Sequence, residues 1–261
     1  MPPIPQSMPQ AGVMAQSDSS PISQHQQRWQ GRRVGITGAR GALGQALARR
    51  FRARGAQVVG LTHGEPPSQP EQEWVRWQCG QEEALRPVLR DLDVLVLNHG
   101  INPGGDQSKA SLNSSLEINA LSSWRLLELF EASTAEVGAT PRPRELWVNT
   151  SEAEIQPALS PAYELSKRLI GQLVSLRWSA YRRQPQSNLI LRKLVLGPFR
   201  SELNPIGVMS ADWVAGQILA QSELGLRLVI VTPNPLTYLV MPLSELGRAI
   251  YNRLISPPPD R

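Results

Sequence analysis

The sequence is poor in the residues that build disulfides, metal centres and membrane spans. Its single cysteine, Cys79, has no partner for an internal disulfide, and its three histidines, His25, His63 and His99, stand at no metal-ligand spacing from it. A reducing compartment and no metal are therefore expected. No uninterrupted apolar run reaches the roughly 18 residues of a spanning helix, and the N-terminus lacks a basic region followed by an apolar core. The expected location is cytoplasmic, with no transmembrane segment. Charge is thin as well, with 19% of residues charged and a formal net charge of +5. The excess is mostly arginine scattered along predicted helices, such as Arg49, Arg50, Arg52 and Arg54, which reads as a solvated face and not as a nucleic-acid patch.

Large apolar groups are also few in residues 1–29, where Pro, Gln and Ser dominate. Such a segment cannot bury enough surface to offset the entropy of ordering, so a disordered tail is expected there, with a second tail over 257–261. Between them, residues 30–256 alternate short β-branched runs with helical periodicity. Strands are expected at Val34–Thr37, Gln57–Leu61, Trp74–Gln78, Val94–Asn98, Glu145–Thr150, Leu189–Val195 and Leu226–Val231. Helices are expected from Ala42, around Glu82–Arg90, through Leu116 to Leu127, from Pro161, and over Ala211–Gln221. This rhythm predicts an α/β fold: a single doubly wound (Rossmann) domain with a mainly parallel seven-stranded sheet.

The first strand runs into Gly38-Ala39-Arg40-Gly41-Ala42-Leu43-Gly44 and then into a helix. Glycines at this junction let the backbone approach a pyrophosphate, and the N–H groups and positive dipole end of the new helix attract its charge, so a dinucleotide is the expected ligand. The second strand ends in Thr62-His63, where no acid stands to bind a ribose 2′-hydroxyl, and Arg40 is placed to meet a 2′-phosphate. NADP is therefore expected ahead of NAD.

Farther along, Tyr163 and Lys167 lie four residues apart on one helical face, away from the apolar stripe of Ala162, Leu165, Leu169, Leu173 and Leu176. A tyrosine that moves a proton near neutrality must lose about three units from its free pKa near 10, or roughly 4 kcal/mol, and a neighbouring ammonium in a partly desolvated site supplies a shift of that order. The C-terminal segment places Leu243, Leu246, Ile250 and Leu254 on one face after Pro242 and reads as a core or dimer helix in preference to a membrane anchor.

The glycine turn, Leu97-Asn98-His99-Gly100, Ile118-Asn119-Ala120, Val148-Asn149-Thr150-Ser151 and Tyr163-Glu164-Leu165-Ser166-Lys167 occur in an order that resembles the short-chain dehydrogenase/reductase family over about residues 31–232. More narrowly, the chain resembles cyanobacterial short-chain dehydrogenases that are named together with sterol desaturases. The resemblance implies Tyr163 as catalytic acid/base and Lys167 as the group that tunes it and holds the nicotinamide ribose. It implies Ser151 as the hydrogen-bond partner of the substrate oxygen, with Thr150 as an alternative, and Asn119 as the anchor of a relay water. It also implies a cofactor path along Asn98 and Gly100, and a homo-oligomer, as a dimer through the helices holding Trp124 and Tyr163. His99 departs from the usual motif and reads as a packing residue. The expected activity is NADP-dependent interconversion of a carbonyl and an alcohol on a small-molecule substrate. The apolar content of Phe199–Met209, where similar proteins carry a lid, favours a hydrophobic one. The competing reading is a non-catalytic NADP-binding partner or regulatory protein on the same fold.

Overall fold

The computed structural model describes residues 28–67, 72–183 and 188–255. Seven strands form one sheet: β1 (Arg33–Thr37), β2 (Gln57–Thr62), β3 (Glu73–Arg76), β4 (Val94–Leu97), β5 (Arg144–Ser151), β6 (Leu189–Leu196) and β7 (Leu228–Val231). Their order is β3-β2-β1-β4-β5-β6-β7 and every neighbouring pair is parallel. The chain builds outward from β1 to β3 and then crosses back to lay β4 on the other side of β1. Side chains alternate across a strand, so adjacent residues feed different layers. Val94 and Val96 join one core with α1 (Ala42–Arg52), while Leu95 and Leu97 join the other.

Helices follow the strands as α2 (Arg86–Arg90), α3 (Lys109–Ser115), α4 (Ser122–Val137), α5 (Pro161–Arg183), α6 (Ala211–Glu223) and α7 (Pro235–Ile255). The expected helix over Glu82–Arg90 is split into a 3₁₀ turn, Glu82–Leu85, and the short α2, which has Pro87 in its first turn. A proline has no N–H to continue the preceding turn but suits the start of a helix. Between α3 and α4 the chain widens into a π turn, Leu116–Leu121. Strand β7 starts two residues later than its apolar run suggests, because Leu226 donates its N–H back to Gln221 in closing α6.

Two expectations are corrected at the ends of the chain. Residues 1–27 and 257–261 lie outside the described residues, but Arg28 and Trp29, assigned above to a tail, belong to the domain. Trp29 is fully buried, edge-on to Phe51 and Trp147 at ring-centroid distances of 5.0 and 5.8 Å, and its indole N–H donates to Glu223 (2.8 Å). Helix α7 starts seven residues before Pro242, where Asn234 accepts the Leu236 N–H at 3.0 Å. Its buried side is Thr237, Met241 and Glu245; the stripe of Leu243, Leu246, Ile250 and Leu254 faces outward and is no part of the core. Helix α7 is fastened by charge. Lys193 on β6, fully buried, donates to Glu154 (2.7 Å) and Glu245 (2.9 Å) and contacts Ser175 and the Gly171 carbonyl.

Candidate active site

At the carboxyl ends of the strands, where the chain reverses direction across the sheet between β1 and β4, lies a cavity of about 840 Å³. Open α/β sheets hold ligands at this position. One wall is the β1–α1 turn. Gly38 has φ +61, and a Cβ there would come within 2.9 Å of the His99 backbone; a Cβ on Gly44 would come within 2.3 Å of the Gly38 carbonyl oxygen. Only glycine lets the first turn of α1 press so close on the strand end. Gly38, Gly41, Ala42 and Leu43 line the cavity, so the helix end with its unpaired N–H groups opens onto it. The cradle fits a dinucleotide pyrophosphate.

Beside the cradle, the Thr37 hydroxyl ties β1 to β4. It donates to the Val96 carbonyl (3.3 Å) and accepts the N–H groups of Asn98 (2.8 Å) and His99 (3.2 Å). The His99 ring packs edge-on to Trp77 at 5.1 Å, and burial holds its pKa down at about 3, so it is neutral. Asn98 and Gly100 line the cavity, and the Asn98 side-chain oxygen accepts from Asn149 (2.9 Å).

The opposite wall is built by the end of β5 and the first turns of α5. Tyr163 and Lys167 both face the cavity, as does Ser151, whose hydroxyl lies close enough to the Tyr163 phenol to ease its ionisation. Lys167 donates to the Asn149 carbonyl (3.1 Å), and its ammonium lies 5.7 Å from the centre of the Tyr163 ring. Burial brings the Lys167 pKa down to about 8. The expected depression of the tyrosine is not met. Burial raises the Tyr163 phenol above its ordinary value, with Ser151 pulling the other way, while the lysine is turned to a backbone carbonyl.

Four of the residues singled out in the sequence do not line the cavity. Asn119 sits in the π turn and is buried. Its amide accepts the Ile101 N–H (2.7 Å) and donates to the Ile101 carbonyl (3.0 Å) and to Ser166 (2.9 Å), so it clamps the loop after β4 onto α5. Gly44 packs under the cradle, and Thr62 is buried with its hydroxyl on the Gly64 N–H (3.3 Å). Arg40 is exposed, but its guanidinium lies over the turn after β2: a Cβ on Gly64 would fall 2.3 Å from Arg40 Nη1. His63, in the same turn, lines the cavity with its Nδ1 3.0 Å from the Trp77 carbonyl oxygen. The Thr150 hydroxyl is engaged with the Leu194 carbonyl (3.2 Å), which leaves Ser151 as the hydroxyl beside Tyr163.

Beyond Ser151 the lining has two zones, a polar one that the sequence did not reveal and an apolar one that includes part of the expected lid. Glu152, Gln156 and Asn102 are polar; Leu159, Ile206 and Val208 are apolar and stand at the rim. Glu152 is hydrogen-bonded by Thr232, and Gln156 accepts from Asn234 (2.6 Å), so the residues leading into α7 hold this wall. The only sequence signal for the polar zone is its nearness to the end of β5, which becomes meaningful once the sheet order is known.

Among solved structures the chain is similar to a short-chain dehydrogenase from Burkholderia cenocepacia J2315 in complex with NADP. The TM-score is 0.70 with 16% identity, over 88% of this chain and 99% of that one. It is also similar to a short-chain dehydrogenase from Sphingobium yanoikuyae in complex with NADPH, at a TM-score of 0.67 and 16% identity over 88% and 98% of the two chains. At such identity these likenesses establish the Rossmann fold. A curated relative, monoglucosyldiacylglycerol epimerase of Synechocystis sp. (strain ATCC 27184 / PCC 6803 / Kazusa), is 40% identical over 234 residues. The alignment takes in 85% of this chain, which spans only 54% of that relative's length. The relative is named as an epimerase, with no desaturase in its name, so the narrower resemblance drawn above is replaced by this one. The model of the NAD dependent epimerase/dehydratase family matches residues 34–211, from β1 through the first residue of α6, and includes the glycine cradle, Ser151, Tyr163 and Lys167. The chain therefore belongs to the NAD-dependent epimerase/dehydratase family.

Proposed function

We propose that this chain is an NADP-dependent epimerase that inverts a ring carbinol of a glucosylated lipid headgroup by passing through the ketone. The observation that carries the reading is the convergence of Ser151, Tyr163 and Lys167 on the cavity wall facing the glycine cradle. The 40% identical epimerase supports inversion over net redox, and its name supplies the substrate class. The carbonyl/alcohol chemistry expected from the sequence is retained as two half-reactions that cancel, and the polar zone of Glu152 and Gln156 suits a sugar better than the small apolar substrate expected above.

NADP held in the cavity would supply reversible hydride transfer at the carbinol carbon. Gly38, Gly41 and the start of α1 would hold its pyrophosphate, and Lys167 its ribose. Tyr163 takes the hydroxyl proton as the C–O bond becomes C=O and gives it back on the return. Ser151 holds the substrate oxygen against the phenol, and the Lys167 ammonium favours the phenolate. The two electrons that leave the carbon come back to it, so no external oxidant is consumed.

Incubating the full chain with NADP⁺ and detergent-dispersed monoglucosyldiacylglycerol should yield the epimeric glycolipid. Deuterium placed on the inverted carbon should remain there, and D₂O should contribute none. Exchange of that position with solvent, or no epimer at all, would remove this reading.

Arg40 supports the choice of NADP. Arg40→Ala should weaken NADPH binding by about 1.5–3 kcal/mol, the range for hydrogen bonds to charged groups, or one to two decades, and leave NADH nearly unchanged. Titration of each nucleotide by quenching of protein fluorescence checks this. An equal loss for both would take Arg40 off the 2′-phosphate.

A further inference from the structure

We infer that the rim of the cavity and the first two turns of α7 form a docking surface for a lipid bilayer, so that a headgroup enters the cavity while its acyl chains stay in the membrane. The inference rests on the reading of the substrate as a glycolipid.

Three observations carry it. The rim is apolar and strongly exposed, with Leu159 at 88% and Ile206 at 75% of full exposure. Helix α7 continues it. Leu236, Leu239, Val240 and Leu243 recur at the spacing of one helical face and are all exposed, whereas Thr237 and Met241 between them are buried. The helix is thus amphipathic with its apolar side outward, against the usual orientation on a domain surface. The two patches are joined, because Asn234 donates to Gln156 and Thr232 to Glu152, tying the start of α7 to the loop that carries Leu159.

Charge and topology choose the occupant. Residues 228–244 contain no charged side chain, and the two charges of the lid, Arg200 and Glu202, offset each other. Among the described residues no helix is long and apolar enough to cross a membrane, so the contact is interfacial. A second protein copy seated over the rim would close the route into the cavity. A bilayer placed there presents polar headgroups to the polar zone and acyl chains to the rim.

The test is flotation of the full chain with phosphatidylcholine vesicles that contain no glycolipid, for the parent, Ile206→Ser/Val208→Ser and Leu236→Ser/Leu239→Ser. The parent should float with the vesicles. Each double variant should lose tenfold or more in partition while titrating NADPH like the parent, which shows that the fold is kept. Raising salt from about 0.1 M to about 1 M, where the screening length falls from roughly 10 Å to 3 Å, should leave parental binding intact. Failure of the parent to bind, loss of binding in salt, or unchanged partition in both variants overturns the inference. So does a change of oligomeric state in Leu236→Ser/Leu239→Ser with partition unchanged, since a second copy would then cover the face. Flotation requires no turnover, so the two readings fail separately. Epimerisation of detergent-dispersed glucosyl lipid without vesicle binding removes the docking surface alone, and vesicle binding without epimerisation removes the activity alone.

Discussion

Tyr163→Phe is expected to lower turnover by about two to four decades, the usual contribution of a positioned acid/base, and to leave NADPH affinity within a factor of about two. The change removes one oxygen, the atom beside Ser151 that, in the proposed mechanism, meets the substrate hydroxyl. The ring stays in place, so its packing and the ammonium 5.7 Å from its centre are preserved. Folding stability should fall by no more than the worth of one hydrogen bond, about 0.5–1.5 kcal/mol. Single-turnover kinetics beside a nucleotide titration separate the two effects. A variant that keeps more than about a tenth of parental turnover would take the phenol out of the proton path. Because burial and the Glu152 charge raise this phenol, the mechanism needs the ammonium to act on it when substrate is present, and Lys167, brought down to about 8, gives up its own proton more readily than an exposed lysine.

The second large effect is on the fold. Lys193→Ala should destabilise the protein by about 3–5 kcal/mol, the cost of removing one partner from a buried ion pair. Lys193 stands between Glu154 and Glu245 at 2.7 and 2.9 Å, and without it two buried carboxylates face each other with only Arg248 (3.3 Å from Glu245) nearby. Burial already raises the Glu154 carboxyl. In the variant Glu154, having lost its cation, should bind a proton more tightly folded than unfolded. A folded pKa raised above the unfolded value gives stability that is present at low pH and lost as pH rises through the folded pKa. The deficit relative to the parent should therefore be smaller near pH 5 than near pH 8. Urea midpoints at the two pH values measure it, and a loss below about 1 kcal/mol at both would mean that the cluster is solvated.

How much of this was legible in the sequence depended on range. The strands could be read because each is a short apolar run, and Tyr163 and Lys167 because a helical spacing of four puts them on one face whatever surrounds them. For α7, periodicity showed that an apolar stripe exists but not which side the domain covers. That was decided by Lys193, fifty-two residues before Glu245, which draws a carboxylate inward and turns the leucines out. The sequence located Asn119 but not its partners, because these depend on the π turn, which aims its amide at Ile101 and Ser166. Trp29 was hidden by its neighbours, since a mean over Pro, Gln and Ser has no weight for one residue that fills a gap between Phe51 and Trp147.

The seat of Trp29 also fixes where the amino terminus joins the domain. Its partners, with Arg28 on Glu145 and the indole on Glu223, lie at the amino ends of the strands, whereas the cavity opens at their carboxyl ends. The five residues of β1 separate the two faces by about 17 Å at 3.3 Å per residue. A tag or reporter joined directly to Arg28 would thus be tethered on the side opposite the mouth, which leaves the cavity free to meet its ligands when the protein is held on a solid support.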